Sequence, residues 1–86
     1  MMRYEEYKHK NVIWRLDFED DELIGTESES INGNDTLSQT DHDAEGRFRS
    51  DAFCDEQEWH KFAEMLQKTE KMTALGNYDP YTREEF

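Results

Sequence analysis

One cysteine, Cys54, and three histidines, His9, His42 and His60, are the side chains best suited to act as nucleophile, neutral base or zinc ligand. Thiol catalysis needs a base held against a sulfur of lowered pKa. Cys54 and His60 are six apart, with Cys54 before an expected helix and His60 inside it, and the acids around them (Asp55, Glu56, Glu58) raise a thiol's pKa. Cys54 is therefore read as a small buried residue. The spacings of the four residues match no common zinc finger or zinc hydrolase. Glycines stand alone at 25, 33, 46 and 76, so no phosphate-cradling loop or nucleophile elbow is present. Acid pairs for glycoside chemistry can be chosen at will from 22 carboxylates, and such a choice carries no information. The expectation is a non-enzymatic protein with no cofactor and no metal.

The carboxylates themselves are the informative feature. The chain has 86 residues, 22 Asp and Glu, 10 Lys and Arg, and a formal charge of −12. Residues 1–19 are neutral, residues 47–86 carry −3, and residues 20–46 hold nine acids and no Lys or Arg. The nine are Asp20, Asp21, Glu22, Glu27, Glu29, Asp35, Asp41, Asp43 and Glu45. Within them Asp41-His42-Asp43-Ala44-Glu45-Gly46 resembles the first half of an EF-hand calcium loop, with oxygen ligands at its first, third and fifth positions and glycine at the sixth. The second half departs from that pattern, because Arg49 and Ala52 stand at the ninth and twelfth positions. Thr26, Ser38 and Thr40 each have an acid three residues on, as acid-directed kinases prefer. The terminal Glu84-Glu85-Phe86 resembles the acidic-aromatic tripeptide read by certain microtubule-associated domains.

These residues need elements to hold them. Val12, Trp14, Leu16 and Phe18 alternate with mostly polar neighbours over residues 11–18, which predicts a strand with those four in the core. Arg3 to Lys10 reads equally as a helical turn or a strand. Glu19-Asp20-Asp21-Glu22 is a solvated turn into a strand over 23–30, with Glu27 and Glu29 on one face, and Asn32-Gly33 signals a hairpin into a third strand over 35–40. So few apolar residues lie between Thr26 and Gly46 that flexibility over the acidic stretch 20–46 is the alternative. Residues 47–53 suggest one more strand. Asp55 as N-cap with Glu58 three residues on forms a capping box, and Trp59, Phe62, Ala63, Leu66 and Thr73 share a face, with Met65, Met72 and Leu75 widening it. A helix over about 56–75 follows, then a tail over 77–86 in which Tyr78-Asp79-Pro80-Tyr81 makes a turn. The fold class is α+β, one domain over 1–86, with a small antiparallel sheet of three or four strands packed on one C-terminal amphipathic helix. Ile24 and Phe48 complete the expected core.

No run is long and apolar enough for a membrane span or a secretory signal, and one unpaired thiol suits a reducing compartment, so a cytoplasmic location is expected. The net charge argues against direct contact with nucleic acid or an anionic membrane and for a basic protein partner, and basic proteins in cells chiefly bind nucleic acid. Alternate residues of a strand lie roughly 6.7 Å apart, about two phosphate steps along DNA, so Glu27 and Glu29, flanked by the other seven acids, could imitate a phosphate row. In length and charge the chain resembles the small acidic inhibitors that bacteriophages direct against restriction or CRISPR nucleases, and the acidic immunity proteins that block nuclease toxins. That resemblance implies an inhibitor acting by nucleic-acid mimicry, as a monomer or homodimer. The competing expectation is a small regulatory interaction domain whose acidic stretch is solvated, with a calcium-binding turn as one form of it.

Overall fold

The computed structural model describes residues 1–31 and 35–72. Five strands run in chain order as an antiparallel meander: β1 (Met2–His9), β2 (Val12–Glu19), β3 (Glu22–Ser30), β4 (Thr36–His42) and β5 (Phe48–Ser50). One helix, α1 (Glu56–Gln67), follows and packs on one face of the sheet. The sheet thus has five strands rather than three or four. The acidic stretch is built into β3 and β4, and the Asn32-Gly33 turn lies outside the described residues.

The added strand is β1, paired with β2 along its whole length from Met2↔Glu19 to His9↔Val12. Of its helix-facing side chains, Arg3, Glu5, Tyr7 and His9, only Tyr7 is completely buried. Two-residue turns join β1 to β2 and β2 to β3. Lys10, Asn11, Asp20 and Asp21 all have positive φ, between 49° and 71°. Asn and Asp tolerate this region best, and the two-residue turns it allows match the twist of the flanking strands.

The helix-facing rows show how a sequence poor in aliphatics still closes a core. Leu16 and Phe18 of β2 pack with Tyr7, Ala63 and Leu66, while Trp14, Leu23, Phe62 and Met65 border them. Each such large apolar side chain contributes about 1.5–3 kcal/mol when fully buried. Farther across the sheet the same rows continue in hydroxyls. Leu16 stands opposite Thr26, Thr26 opposite Thr40, and Thr40 opposite Ser50, while Trp14 stands opposite Ser28 and Ser28 opposite Ser38. Thr26, Ser28, Ser38 and Thr40 are buried. Ser28 and Ser38 share a hydrogen bond, as do Thr40 and Ser50 at 2.7 Å, and Trp59 Nε1 donates to Thr26 Oγ1 at 2.8 Å. Cross-strand hydroxyl pairs stabilise the sheet where no alkyl packing is available. They also bury Thr26, Ser38 and Thr40, which withdraws these residues from any kinase.

The helix begins as its capping signals require. Asp55 Oδ1 accepts from Glu58 N–H at 2.9 Å, and Glu58 Oε2 accepts from the N–H of Cys54 at 3.0 Å, one residue before the usual reciprocal partner. Its buried residues are Trp59, Ala63 and Leu66. It ends at Gln67, eight residues short of the expected 75. Lys68 is the C-cap, and Thr69 turns both its N–H (2.9 Å) and its hydroxyl (2.7 Å) onto the Leu66 carbonyl. A β-branched hydroxyl that satisfies the last turn competes with continuing it. The chain then runs back so that Lys71 bridges to Tyr7 at the outer edge of β1. Thr73, Leu75 and the tail over 77–86 lie outside the described residues.

The opposite face of the sheet also differs from expectation. Ile13, placed outward by the alternation of β2, is buried, as are Arg15 and Asp17, whereas Val12, Trp14, Ile24, Phe48 and Phe62 are half-buried. On that face Glu6, Arg15, Glu27 and Gln39 form one cross-strand row. Long side chains from β1 and β3 shield β2 between them.

Candidate protein-binding surface

Of the nine acids in the basic-free stretch, five cluster at one end of the sheet. Both the β2–β3 turn, with Asp20, Asp21 and Glu22, and the β4–β5 turn, with Asp43 and Glu45, leave the sheet at that end. Two strand spacings, roughly 10 Å, separate the turns. Glu27, Glu29 and Asp41 lie instead on the face away from the helix, and Asp35 is exposed at the opposite end. Glu27 and Glu29 do share a face, two residues apart on β3.

Most of these carboxylates are matched by bases from flanking segments. Asp20 is 2.6 Å from the Met1 amino group, and Asp21 bonds the Arg3 guanidinium. Asp41 holds Arg49 through two hydrogen bonds of 3.0 and 3.2 Å. Asp43 Oδ1 accepts the N–H groups of Arg47 at 2.9 Å and Glu45 at 3.0 Å, and its second oxygen meets Arg47 Nε at 3.2 Å. These contacts, the Arg47 N–H first, hold the Asp43 carboxyl below its ordinary range. Glu45 reaches Arg47 at 3.4 Å. Such exposed pairs fix geometry more than they stabilise, each contributing about 0–1 kcal/mol.

Glu27 is held differently, by a base on the neighbouring strand. Arg15 Nη2 lies 3.1 Å from Glu27, and Arg15 Nε lies 3.1 Å from Asp17. One guanidinium is shared by a buried carboxyl, Asp17, and a half-buried one, Glu27. Burial first, and then hydrogen bonding and charge from Asp17, push Glu27 up to about 8 against the opposing pull of Arg15. A carboxyl that holds its proton near neutrality is a poor imitation of a phosphate, so the proposed phosphate row is weakest at the residue chosen to centre it. Gly25 stands opposite Asp17, and a Cβ there would come within 3.2 Å of Asp17 Oδ2, so glycine leaves room for that carboxylate.

The calcium-like turn is a strand-turn-strand, and the carboxylates of Asp41, Asp43 and Glu45 are taken by Arg47 and Arg49. Among the described residues no group of three or more His, Cys, Asp and Glu side chains is arranged to hold a metal ion. Cys54 is exposed rather than buried, and the charge of Glu58 foremost raises its pKa, the direction opposite to activation. Among the described residues no helix is long and apolar enough to cross a membrane.

The signal missed from sequence is the pairing. Arg47 and Arg49 sit one and three residues past the boundary at which the basic-free stretch ends, and a hairpin folds them directly onto it. Compared with protein-family models, curated proteins and solved structures, the chain matches none.

Proposed function

We propose that this protein is a non-enzymatic module that binds a basic protein, and that it inhibits a nucleic-acid-binding protein or nuclease by occupying the surface that would meet phosphates. The observation that supports this reading is the convergence of the β2–β3 and β4–β5 turns at one sheet end, where six acids, Glu19, Asp20, Asp21, Glu22, Asp43 and Glu45, outnumber the three cations paired with them, the Met1 amino group, Arg3 and Arg47, and leave a net negative field. A field of one sign steers an oppositely charged partner. Phage inhibitors of restriction or CRISPR nucleases and nuclease immunity proteins are the functional classes to which this reading assigns it, acting in the cytoplasm without direct contact to nucleic acid or membrane.

Immobilised protein exposed to nuclease-treated lysate at about 0.1 M and about 0.5 M salt, a range that changes screening strongly, tests the reading. The expected result is retention of a basic nucleic-acid enzyme that salt elutes, that duplex DNA competes away, and that D20N/D21N/E22Q no longer holds. Retention of a non-basic protein insensitive to salt would overturn it. That outcome would favour a regulatory interaction domain, for which the in-house pairing of Asp41, Asp43 and Glu45 with Arg47 and Arg49 already argues.

A further inference from the structure

An open groove of about 320 Å³ lies between α1 and the β2–β3 turn, at the same sheet end as the acidic turns. Its floor is apolar, formed by Phe18, Leu23 and Ala63. Glu22 stands on the turn side, Glu64 and His60 on the helix side. His60 and Glu64 are one helical turn apart, so they share the face that looks onto the groove. Among the described residues neither the Glu22 nor the Glu64 carboxylate carries an ion pair or hydrogen bond, in contrast to Asp21 beside them, which Arg3 occupies. Two free carboxylates above an apolar floor complement a side chain with an alkyl stem and a cationic head.

Arg3 shows which cationic head this end of the sheet accommodates. Its guanidinium lies 4.4 Å from the centre of the Phe18 ring while it bonds Asp21. The chain's own arginine thus uses an aromatic face and a carboxylate of the groove's lining together. A guanidinium is weakly hydrated, planar and able to bond two carboxylates at once, which an ammonium point charge does less well.

We propose that the groove seats an arginine side chain of the basic partner, with Leu23 and Ala63 against its stem and Glu22 and Glu64 receiving its guanidinium. This rests on the reading of the protein as a module for basic proteins and names the part of the surface that selects among them. Within the acidic field the turns steer the partner, and the groove fixes its register.

The test is a titration of ¹⁵N-labelled full-length protein with a capped peptide carrying arginines separated by glycines, in parallel with the lysine version and with spermidine. The expected result is a saturable shift at Leu23, Ala63 and Glu64, stronger for arginine than for lysine. E22Q/E64Q should weaken that binding about tenfold, equal to 1.4 kcal/mol, while D41N/D43N changes it little. Both acids of the first variant are exposed, so the fold is retained. Shifts spread over both turns and equally sensitive to both variants would overturn the groove while leaving the acidic-module reading intact. An equal footprint from spermidine would reduce the site to a cation attractor and overturn the arginine assignment. No shift from any cation at low salt would defeat both readings.

Discussion

On the helix-facing side of β1, Glu5 accepts hydrogen bonds from Tyr7 at 2.7 Å, Arg3 at 3.2 Å, Lys71 at 3.3 Å and Gln67 at 3.4 Å. On the other side of the sheet, Asp17 and Glu27 divide one Arg15 between them. Both clusters are built on residues two apart in a strand, and both hide carboxyls from water. Burial opposes the charge on Glu5, but the Tyr7 hydroxyl and then Lys71 outweigh it, so this carboxyl lies below its ordinary range. Burial also opposes the charge on Glu27, and there a second carboxyl reinforces it. Counting donors around each oxygen, rather than counting acids along the chain, decides which carboxylates are available as charge.

Removing Arg15 should produce the largest effect. Arg15→Met leaves Asp17 and Glu27 facing one another with their shared cation gone, and breaking a buried pair by deleting one partner costs about 3–5 kcal/mol. Urea unfolding should show that loss at pH 8 and a smaller one at pH 5, because without the cation the folded state must keep the Glu27 proton at pH 8, where the unfolded chain has released it. Equal losses at the two pH values would mean that Arg15 acts through packing alone.

A smaller change is expected on the opposite face. Tyr7→Phe keeps the buried ring and deletes the shortest hydrogen bond to Glu5, costing about 1–3 kcal/mol for a donor to a charged group. The folded-state pKa of Glu5 is depressed, so its stabilisation is fully present above its unfolded value and is lost as pH falls through the folded one. Without Tyr7 the acid limb of the stability profile should move to higher pH. An unmoved acid limb would assign the lowered pKa to Lys71 and Gln67.

The contrast explains what could be read along the chain. β2, the turn at residues 19–22 and the start of α1 each announce themselves locally, through alternation, like-charge crowding and capping residues. β1 does not, because its inward row of Arg3, Glu5 and Tyr7 closes only once Tyr7 is buried and Glu5 is bonded, and two of the four bonds to Glu5 come from residues more than sixty positions away. The helix end was obscured because Met72 and Leu75 prolong the apolar period beyond the point where Thr69 stops it. Period-two hydroxyls, Thr26-Ser28-Ser30 and Ser38-Thr40, marked the inner rows of β3 and β4 but carry no hydrophobic signal. The acidic surface was legible as composition. Which of its members remain free was not, since Arg15 answers Glu27 across twelve residues and Arg49 answers Asp41 across eight.

The smallest expected effect runs in the unusual direction. Glu27 has a folded pKa raised to about 8 from an ordinary 4.5, so the folded state binds the extra proton between those values, and stability falls as pH rises through that window. Glu27→Gln replaces the protonated carboxyl by a neutral amide of the same shape, whose oxygen still accepts from Arg15 and whose NH₂ still donates to Asp17. The variant should therefore match the parent near pH 5 and exceed it at pH 8. The side chain remains a quarter exposed and shares its proton with Asp17, which discounts the gain to on the order of 1–2 kcal/mol, or about 5–15 °C in Tm. Thermal melts of both proteins across pH 5–8 distinguish the cases. Diverging curves identify Glu27 as the proton holder, whereas parallel curves would return it to the ionised acids and restore it as a charge that a basic partner can use.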